Sequence, residues 1–232
     1  RNIGILAHID AGKTTLTERF LLNAREIATP GNVDDGSTVM DYLPQERRRG
    51  ITINAAATTF GWRGYSINLI DTPGHIDFSG EVDRAVRVLD SVVIVLDATK
   101  GVEAQTRAVW RAADRFNLPR VIFLNKFDIE GCSLEFCVKS IRKEFNCDPL
   151  VLQKPVTRIN SDKIEALADL VTKTEIRAEG MFNKNVSVKE VDLNSDLSLM
   201  IEQDRSNLLE HLAIIDDDFA EVYLEKMNDV DI

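Results

Sequence analysis

Residues 7–14 read Ala-His-Ile-Asp-Ala-Gly-Lys-Thr and stand between two segments of different periodicity. The apolar run at residues 3–7 predicts a buried strand that leads into this stretch. Residues 15–22, which follow it, space their apolar side chains as a helix does. A strand, a tight loop and a helix N-terminus in succession form an anion site, because backbone N–H groups converge there and the helix dipole adds positive potential. The stretch therefore predicts a phosphate-binding loop.

The side chains of this loop predict nucleotide binding. Lys13 is expected to reach the β- and γ-phosphates, and the Thr14 hydroxyl is expected to bind Mg²⁺. The usual pattern begins with glycine, where this chain has Ala7. The predicted nucleotide contacts in the loop are Ala7, His8, Ile9, Asp10, Ala11, Gly12, Lys13, Thr14 and Thr15.

A second motif, Asp71-Thr72-Pro73-Gly74, follows a strand-like run at residues 66–70. A residue at the carboxyl end of such a strand stands where open α/β sheets bind ligands. The Asp71 carboxylate is expected to hold Mg²⁺ through water, and the Gly74 amide is expected to approach the γ-phosphate because glycine permits close backbone contact. Asp-x-x-Gly alone would usually indicate a turn. Its place after the phosphate loop favours a sensor of the metal and the γ-phosphate.

A third motif, Asn125-Lys126-Phe127-Asp128, follows another apolar run at residues 120–124. Asp128 is expected to accept hydrogen bonds from guanine N1–H and from the exocyclic amine together. Adenine offers no such pair of donors, so with ATP in the site this carboxylate would have no hydrogen-bond donors from the base. Asn125 is expected to tie the base-binding loop together, and the stem of Lys126 is expected to cover the face of the base. The three motifs in this order predict a chain that binds GTP and GDP and hydrolyses GTP.

The chain resembles the translational GTPases, and elongation factor G in particular, over nearly its whole length. The matching stretches are residues 7–15, 45–53, 71–78, 101–106 and 125–128. The resemblance is dense up to residue 153 and looser beyond it. Two stretches are more similar to the mitochondrial recycling-type branch of that family than to the bacterial translocases. They are residues 33–36, Val-Asp-Asp-Gly, followed by residues 38–41, Thr-Val-Met-Asp, and the later run of residues 201–219, which ends in Asp-Asp-Asp-Phe.

The resemblance assigns roles to further residues. Thr52 matches the threonine that closes over Mg²⁺ and the γ-phosphate, within a switch I assigned to residues 26–53. His75 matches the residue that orients the attacking water. Asp10 matches a loop acid near the phosphates, for which a structural role in the turn and a role as a ligand of a monovalent cation are both open.

These roles complete the expected site. The expected catalytic residues are Lys13, Thr52 and His75, and the expected metal ligands are Thr14, Thr52 and Asp71. Beyond the phosphate loop, the expected nucleotide contacts are Asp71, Gly74, His75, Asn125, Lys126 and Asp128. The implied cofactors are GTP or GDP and Mg²⁺.

The same resemblance implies a partner and a compartment. It implies a domain that acts on the mitochondrial ribosome, through rRNA and ribosomal proteins, and that splits its subunits together with a ribosome recycling factor in the mitochondrial matrix. Three alternatives stay open: tRNA–mRNA translocation, the GTPase of a sulfate adenylyltransferase-like enzyme with a similar phosphate loop, and a nucleotide switch that does not hydrolyse GTP. The long segment after residue 153 favours the elongation factor G branch over the enzyme. His75 argues against the inert switch, which has no need of a water-orienting residue.

The order of the predicted elements gives the fold class. Strands are expected near residues 3–7, 56–62, 65–70, 92–97, 120–124 and 150–153, and helices near 13–24, 79–89, 104–116 and 133–146. This alternation predicts an α/β phosphate-loop NTPase fold, with a mostly parallel sheet covered by helices on both faces. Residues 1–153 are expected to form the GTPase core. Residues 154–232 are expected to form an inserted α/β subdomain with amphipathic helices at 198–211 and 216–227.

The resemblance also predicts that the chain is a truncated piece of a longer protein. In the family, a Ser-Ala segment after a late strand contacts guanine O6 through its backbone, and no such segment follows residue 128 here. The base pocket is therefore expected to be incomplete, and the inserted subdomain is expected to be truncated at its C-terminus.

Composition argues against several classes of partner. The formal net charge of the 232 residues is −10, which argues against broad binding of DNA or other nucleic acid, so ribosome contact is expected through local patches. No apolar stretch approaches the roughly 20 residues of a membrane span, so no membrane partner is expected. The three cysteines, Cys132, Cys137 and Cys147, fit neither a CxxC pattern nor an even disulfide set and are expected to be ordinary thiols.

Overall fold

The structure is a computed structural model that describes residues 1–31, 37–38, 55–72, 79–157, 164–179, 185–192 and 195–225. The chain forms two compact units, Arg1–Phe145 and Asn146–Ile232. The division falls earlier in the chain than the boundary predicted after residue 153, because the segment that follows Phe145 joins the second unit.

The first unit is built on a five-stranded sheet. Its strands are β1 (Asn2–Ala7), β2 (Ala56–Trp62), β3 (Tyr65–Asp71), β4 (Ser91–Asp97) and β5 (Arg120–Asn125), in the spatial order β2-β3-β1-β4-β5. The hairpin at Arg63-Gly64 makes β2 antiparallel to β3, and the other pairs are parallel. The positive φ of both turn residues suits a two-residue hairpin loop. The predicted positions of these five strands are confirmed within one residue at their ends.

In its described residues, the first unit has four helices: α1 (Lys13–Asn23), α2 (Ser79–Val86), α3 (Ala104–Arg115) and α4 (Leu134–Phe145). The apolar side of α1 packs on the sheet, where Leu16 and Leu21 join a buried cluster with Ile5, Leu69 and Val95. This packing holds the helix that follows the phosphate loop in a fixed place on β1. The predicted α/β class, a mostly parallel sheet with helices, is confirmed.

The second unit contains an antiparallel sheet of four strands. These are β6 (Gln153–Thr157), β7 (Ile164–Asp169), β8 (Thr174–Glu179) and β9 (Asn185–Glu190), in that spatial order. The prediction of a sixth strand of the GTPase core near residues 150–153 is therefore wrong. The strand in that region begins at Gln153 and pairs with β7 rather than with the first sheet.

Two helices, α5 (Asp196–Ile215) and α6 (Asp217–Glu225), complete the second unit. Ile201 and Leu208 of α5 pack against Ala168 and Leu170, at the end of β7. The buried guanidinium of Arg205 donates to the Leu170 carbonyl at 2.8 Å and so ties the helix to the same strand end. Among the described residues, no helix is both long enough and apolar enough to cross a membrane.

Candidate functional site

Four strand ends lie side by side at one edge of the sheet in the first unit. Because β1, β3, β4 and β5 are parallel, their last residues, Ala7, Asp71, Asp97 and Asn125, stand at the same edge. The carboxyl edge of a parallel sheet is where α/β folds bind ligands. The predicted phosphate loop, the metal aspartate and the base motif are therefore brought together by topology.

The phosphate loop contains two residues with left-handed backbone. The φ angle is 60° at Asp10 and 91° at Gly12. Asn125 donates from Nδ2 to the Ala11 carbonyl at 2.8 Å, and a Cβ atom at position 12 would collide with the same Nδ2. Glycine is required at position 12 both for its φ and for the space it leaves. The left-handed backbone of Asp10, which aspartate tolerates, supports a role in the turn.

Lys13 begins α1 and is buried against the end of β3. Its Nζ lies 2.5 Å from Oδ1 of Asp71, and the exposed fractions of the two side chains are 7% and 0%. The hydroxyl of the neighbouring Thr72 donates to the Ile5 carbonyl at 2.9 Å and fixes the end of β3 against β1. Two charges taken out of water need close pairing to offset the loss of hydration. The structure thus joins the predicted phosphate lysine to the predicted metal aspartate.

The donor atoms next to Lys13 suit a hard cation that prefers oxygen. Asp71 provides a carboxylate, and the half-buried Thr14, in the first turn of α1, provides a hydroxyl. Mg²⁺ commonly takes one or two protein ligands and completes its shell with substrate phosphates and water. Among the described residues, no group of three or more His, Cys, Asp or Glu side chains is placed to hold a metal ion. The arrangement fits a magnesium ion that arrives with a nucleotide.

The base motif continues from the end of β5. Lys126 has a φ of 65°, and its Nζ lies 2.9 Å from Oδ2 of Asp97. Asp128 is exposed, so its carboxylate is accessible from solvent. Asn125 turns back to the phosphate loop, as described above. The predicted role of Asn125 in tying loops together therefore has a partner that the motif alone did not name, the Ala11 carbonyl.

His8, in the phosphate loop, is buried against the start of α3. Its Nε2 lies 3.2 Å from Oε2 of Glu103, and its Nδ1 lies 3.4 Å from Oγ1 of Thr106. The Ile9 amide donates to Oε1 of Gln105 at 2.9 Å. Burial lowers the pKa of His8 below 6.5, although the Glu103 carboxylate acts in the opposite direction. Burial therefore favours the neutral imidazole, which contacts the Glu103 carboxylate and the Thr106 hydroxyl at the start of α3.

Sequence reasoning assigned no role to Asp97, and residues 101–106 entered it only as a matching stretch. In the structure, Asp97 holds Lys126 and Gln105 holds the phosphate loop. Asp97 could have been found by the rule that found Asp71, since both are charged residues at the carboxyl end of an apolar run. Gln105 could not, because its contact depends on the packing of α3 beside β1.

Several predicted residues lie outside the part of the chain that the structure describes. They are Thr52, Gly74 and His75, together with most of the switch I assigned to residues 26–53. Of the three expected catalytic residues, the structure places Lys13 only. Of the three expected metal ligands, it places two: Thr14 in the first turn of α1 and Asp71 at the carboxyl end of β3.

The fold and the site define a class, the phosphate-loop nucleotide-binding domains with a guanine motif after the strand at the edge of the sheet. The family model described as "Elongation factor Tu GTP binding domain" matches residues 1–225. The chain belongs to this family of GTP-binding domains. The predictions of a GTP-binding domain and of its resemblance to translational GTPases are confirmed.

Individual relatives agree with this membership. The chain is 48% identical over 233 aligned positions to "Ribosome-releasing factor 2, mitochondrial" of Pongo abelii, a match that covers 99% of this chain and 30% of that protein. It is 45% identical to "Elongation factor G" of Thermotoga maritima over 97% of this chain and 32% of that protein. A crystal structure of a protein from Thermus thermophilus superimposes with a TM-score of 0.86 at 28% identity, over 97% of this chain and 33% of that one. The chain thus spans about a third of the length of these proteins.

Proposed function

We propose that this chain binds GTP and GDP with Mg²⁺ and hydrolyses GTP, as the GTPase domain of a factor that recycles mitochondrial ribosomes. The observation that carries the proposal is the buried contact of Lys13 Nζ with Asp71 at 2.5 Å, beneath a loop that Asn125 closes. This places an ammonium group at the carboxyl edge of the sheet, beside a helix N-terminus that favours anions. Membership of a family of GTP-binding domains supports the same assignment.

The proposal gives each end of the nucleotide its own residues. At the phosphate end, the backbone of residues 7–15 surrounds the phosphates, Lys13 pairs with the β- and γ-phosphates, and Gly74 approaches the γ-phosphate. Thr14, Thr52 and Asp71 would hold Mg²⁺, which would neutralise charge on the phosphates. His75 orients the water that attacks the γ-phosphate.

The base end is selective. Asp128 accepts from two guanine donors, a charge-assisted arrangement that adenine does not match. The stem of Lys126 covers the base, and Asn125 keeps the base loop attached to the phosphate loop. We assign this GTPase core to the first unit and an inserted subdomain to the second, and the family match across residues 1–225 supports an insertion within one domain.

The whole protein is proposed to act on the ribosome in the mitochondrial matrix, with a ribosome recycling factor as its partner. Support comes from the printed name of the Pongo abelii relative and from its identity over nearly the whole chain. A second candidate, tRNA–mRNA translocation, is favoured by the identity to the Thermotoga maritima elongation factor G. The two functions share the nucleotide site, so the site does not separate them.

An assay on mitochondrial ribosomes separates the two candidates. The full-length protein with a recycling factor and GTP should split post-termination ribosomes, which light scattering detects, and should move mRNA little in a toeprint. Movement of mRNA without subunit separation would favour translocation and leave the GTPase assignment intact. Absence of ribosome-stimulated phosphate release would contradict both and return the chain to the class of inert switches.

The role of His75 is tested by its replacement. His75→Ala in the full-length protein should leave GTP affinity within a few-fold and lower ribosome-stimulated turnover by about two orders of magnitude or more, because positioning of the water is lost while ground-state binding is kept. Rapid-filtration binding and phosphate-release kinetics measure the two quantities. A loss of binding without a separate loss of turnover would assign His75 to the structure of the site instead.

A further inference from the structure

Asp97 is a buried carboxylate that the proposed roles above do not use. It ends β4, and 1% of the residue is exposed. Its Oδ2 lies 2.9 Å from Nζ of Lys126, a residue of the base motif. Its Oδ1 accepts from the Thr99 hydroxyl at 2.6 Å and from the Thr99 amide at 2.9 Å. Oδ1 thus stabilises the loop that follows β4, and Oδ2 contacts the base motif.

The backbone places this carboxylate beside the base motif. Asp97 is the register partner of Asn125 in the parallel pairing of β4 and β5. The Ala98 amide donates to the Asn125 carbonyl at 2.9 Å, one residue before Lys126. The paired backbone therefore keeps Asp97 next to Lys126.

The conformation of Lys126 explains why its side chain needs the contact with Asp97. Its φ of 65° lies in the left-handed region, which residues with a side chain rarely adopt. One quarter of its side chain is exposed, so the surrounding protein does not fully enclose the stem and another contact is needed to fix its direction. The ion pair with Asp97 gives the ammonium group one position and thereby gives the stem one direction.

The charge state agrees with this role. Burial by itself would raise the pKa of Asp97, but hydrogen bonds from Thr99 and from Lys126 lower it to about 2. Asp97 is therefore ionised at physiological pH. A buried carboxylate that loses its cation carries a large cost, so the pair is expected to persist when a nucleotide enters.

We propose that Asp97 is a positioning residue for the guanine nucleotide, which it holds indirectly by fixing the ammonium group of Lys126 so that the lysine stem lies preset over the base. This inference rests on the proposed guanine-reading role of residues 125–128. Presetting the stem reduces the ordering that binding requires, and it should slow release of the nucleotide.

The test uses Asp97→Asn in the full-length protein and a fluorescent GDP analogue in a stopped-flow instrument. Asparagine keeps an Oδ1 acceptor for Thr99 and turns an amide donor toward Lys126, so the loop keeps its support while the ion pair is lost. We expect affinity for GDP to fall about tenfold, mainly through faster release. Unchanged or tighter affinity would overturn the proposal, because it would mean that the ion pair is idle or competes with the base.

A second variant keeps the stem and removes the charge. Lys126→Met should weaken GDP by a similar factor, because an apolar stem that nothing holds is no longer preset, and retention of wild-type affinity would overturn the proposal even if Asp97→Asn failed to fold. Adding Asp97→Asn to Lys126→Met should cost little more, since the carboxylate acts through Lys126. An equal further loss in the double variant would overturn the proposal and leave Asp97 a structural residue only.

A matched control and a reference ligand complete the design. Asp114→Asn removes a carboxylate that pairs with Arg120 at 2.7 Å, at the other end of β5, and should leave GDP affinity within twofold. The wild-type protein should prefer GDP to ADP. A wild-type protein that binds ADP as tightly as GDP would contradict the guanine-reading function itself. If the wild type prefers GDP but Asp97→Asn binds GDP as tightly as the wild type does, only this inference is contradicted.

Discussion

The two ends of the nucleotide site are held in different ways. The phosphate loop is held by buried contacts: Lys13 against Asp71, the Asn125 amide on the Ala11 carbonyl, and a glycine that no other residue replaces without a clash. The base motif ends in an exposed Asp128 and a partly exposed Lys126. On the proposed roles, the phosphates would meet buried groups that already have partners, and the base would meet side chains at the rim. We infer that the loop supplies most of the affinity and the rim supplies the choice of base.

The strongest way to break this comparison is to remove the buried ammonium group. Lys13→Ala should weaken GTP by about a hundredfold or more, because a charge-assisted contact with phosphate is lost and the Asp71 carboxylate is left without its lysine beside an anionic ligand. Equilibrium binding of labelled GTP measures the effect. Lys139→Ala, which removes an exposed lysine of α4, is the matched control and should leave affinity unchanged. A Lys13→Ala protein that still bound GTP tightly would show that the loop backbone alone supplies the affinity.

The next variant changes the choice of base while leaving the phosphate end intact. Asp128→Asn should weaken GTP by about a hundredfold and should improve binding of xanthosine triphosphate, because an amide can donate to the carbonyl that replaces the exocyclic amine. Competition between the two nucleotides gives the ratio directly. Glu130→Gln, an exposed carboxylate two positions further on, should shift nothing. Full GTP affinity in Asp128→Asn would refute the assignment of the guanine reader.

A third variant tests whether the two ends are coupled. Asn125→Ala removes the donor that reaches the buried Ala11 carbonyl, a loss of about 1–2 kcal/mol, so GTP and GDP should both weaken about tenfold without a change in base preference. Asn68→Ala is the control, since its Nδ2 donates at 2.8 Å to Asn2, near the amino-terminal edge of the sheet. It should leave nucleotide affinity as it is. A change of base preference in Asn125→Ala would instead place Asn125 in direct contact with the base.

The sequence predicts the two units unequally, for physical reasons. In the first unit, apolar runs such as residues 92–97 end in turn signals, so the five strands and four helices could be located. In the second unit, β9 is exposed at every position except one, so its sequence lacks the alternation of apolar and polar residues that marks a half-buried strand. The position of this sheet depends on the packing of Ala168 and Leu170 against Ile201 and Leu208 of α5, a contact between segments that are far apart in the chain.

The site shows the same limit. Lys13, Asp71 and Asn125 were predicted because fixed spacings place them after strands. The contacts of Asp97 with Lys126 and of Gln105 with Ile9 were missed, since each joins elements whose neighbourhood only the folded sheet decides.

The smallest expected effect concerns stability and belongs to the phosphate end. His8 is buried, and burial lowers its pKa below 6.5, with Lys100 and Lys126 acting in the same direction and Glu103 and Asp97 in the opposite one. The unfolded chain therefore binds a proton at a higher pH than the folded chain does. The folded state keeps its full stability above pH 6.5 and loses part of it as the pH falls through the lowered pKa.

Urea unfolding of the nucleotide-free protein at several values of pH tests this account. The wild-type midpoint should fall as the pH is lowered from 7 to 5. His8→Asn, which removes the titrating group, should have a lower midpoint at pH 7 and a flatter profile over the same range. Thr106→Val leaves the imidazole in place but removes a hydroxyl next to it, so its profile should stay steep. A wild-type profile that rises toward pH 5 would mean that Glu103 outweighs burial, and that the phosphate loop rests on an ion pair instead of a neutral, buried imidazole.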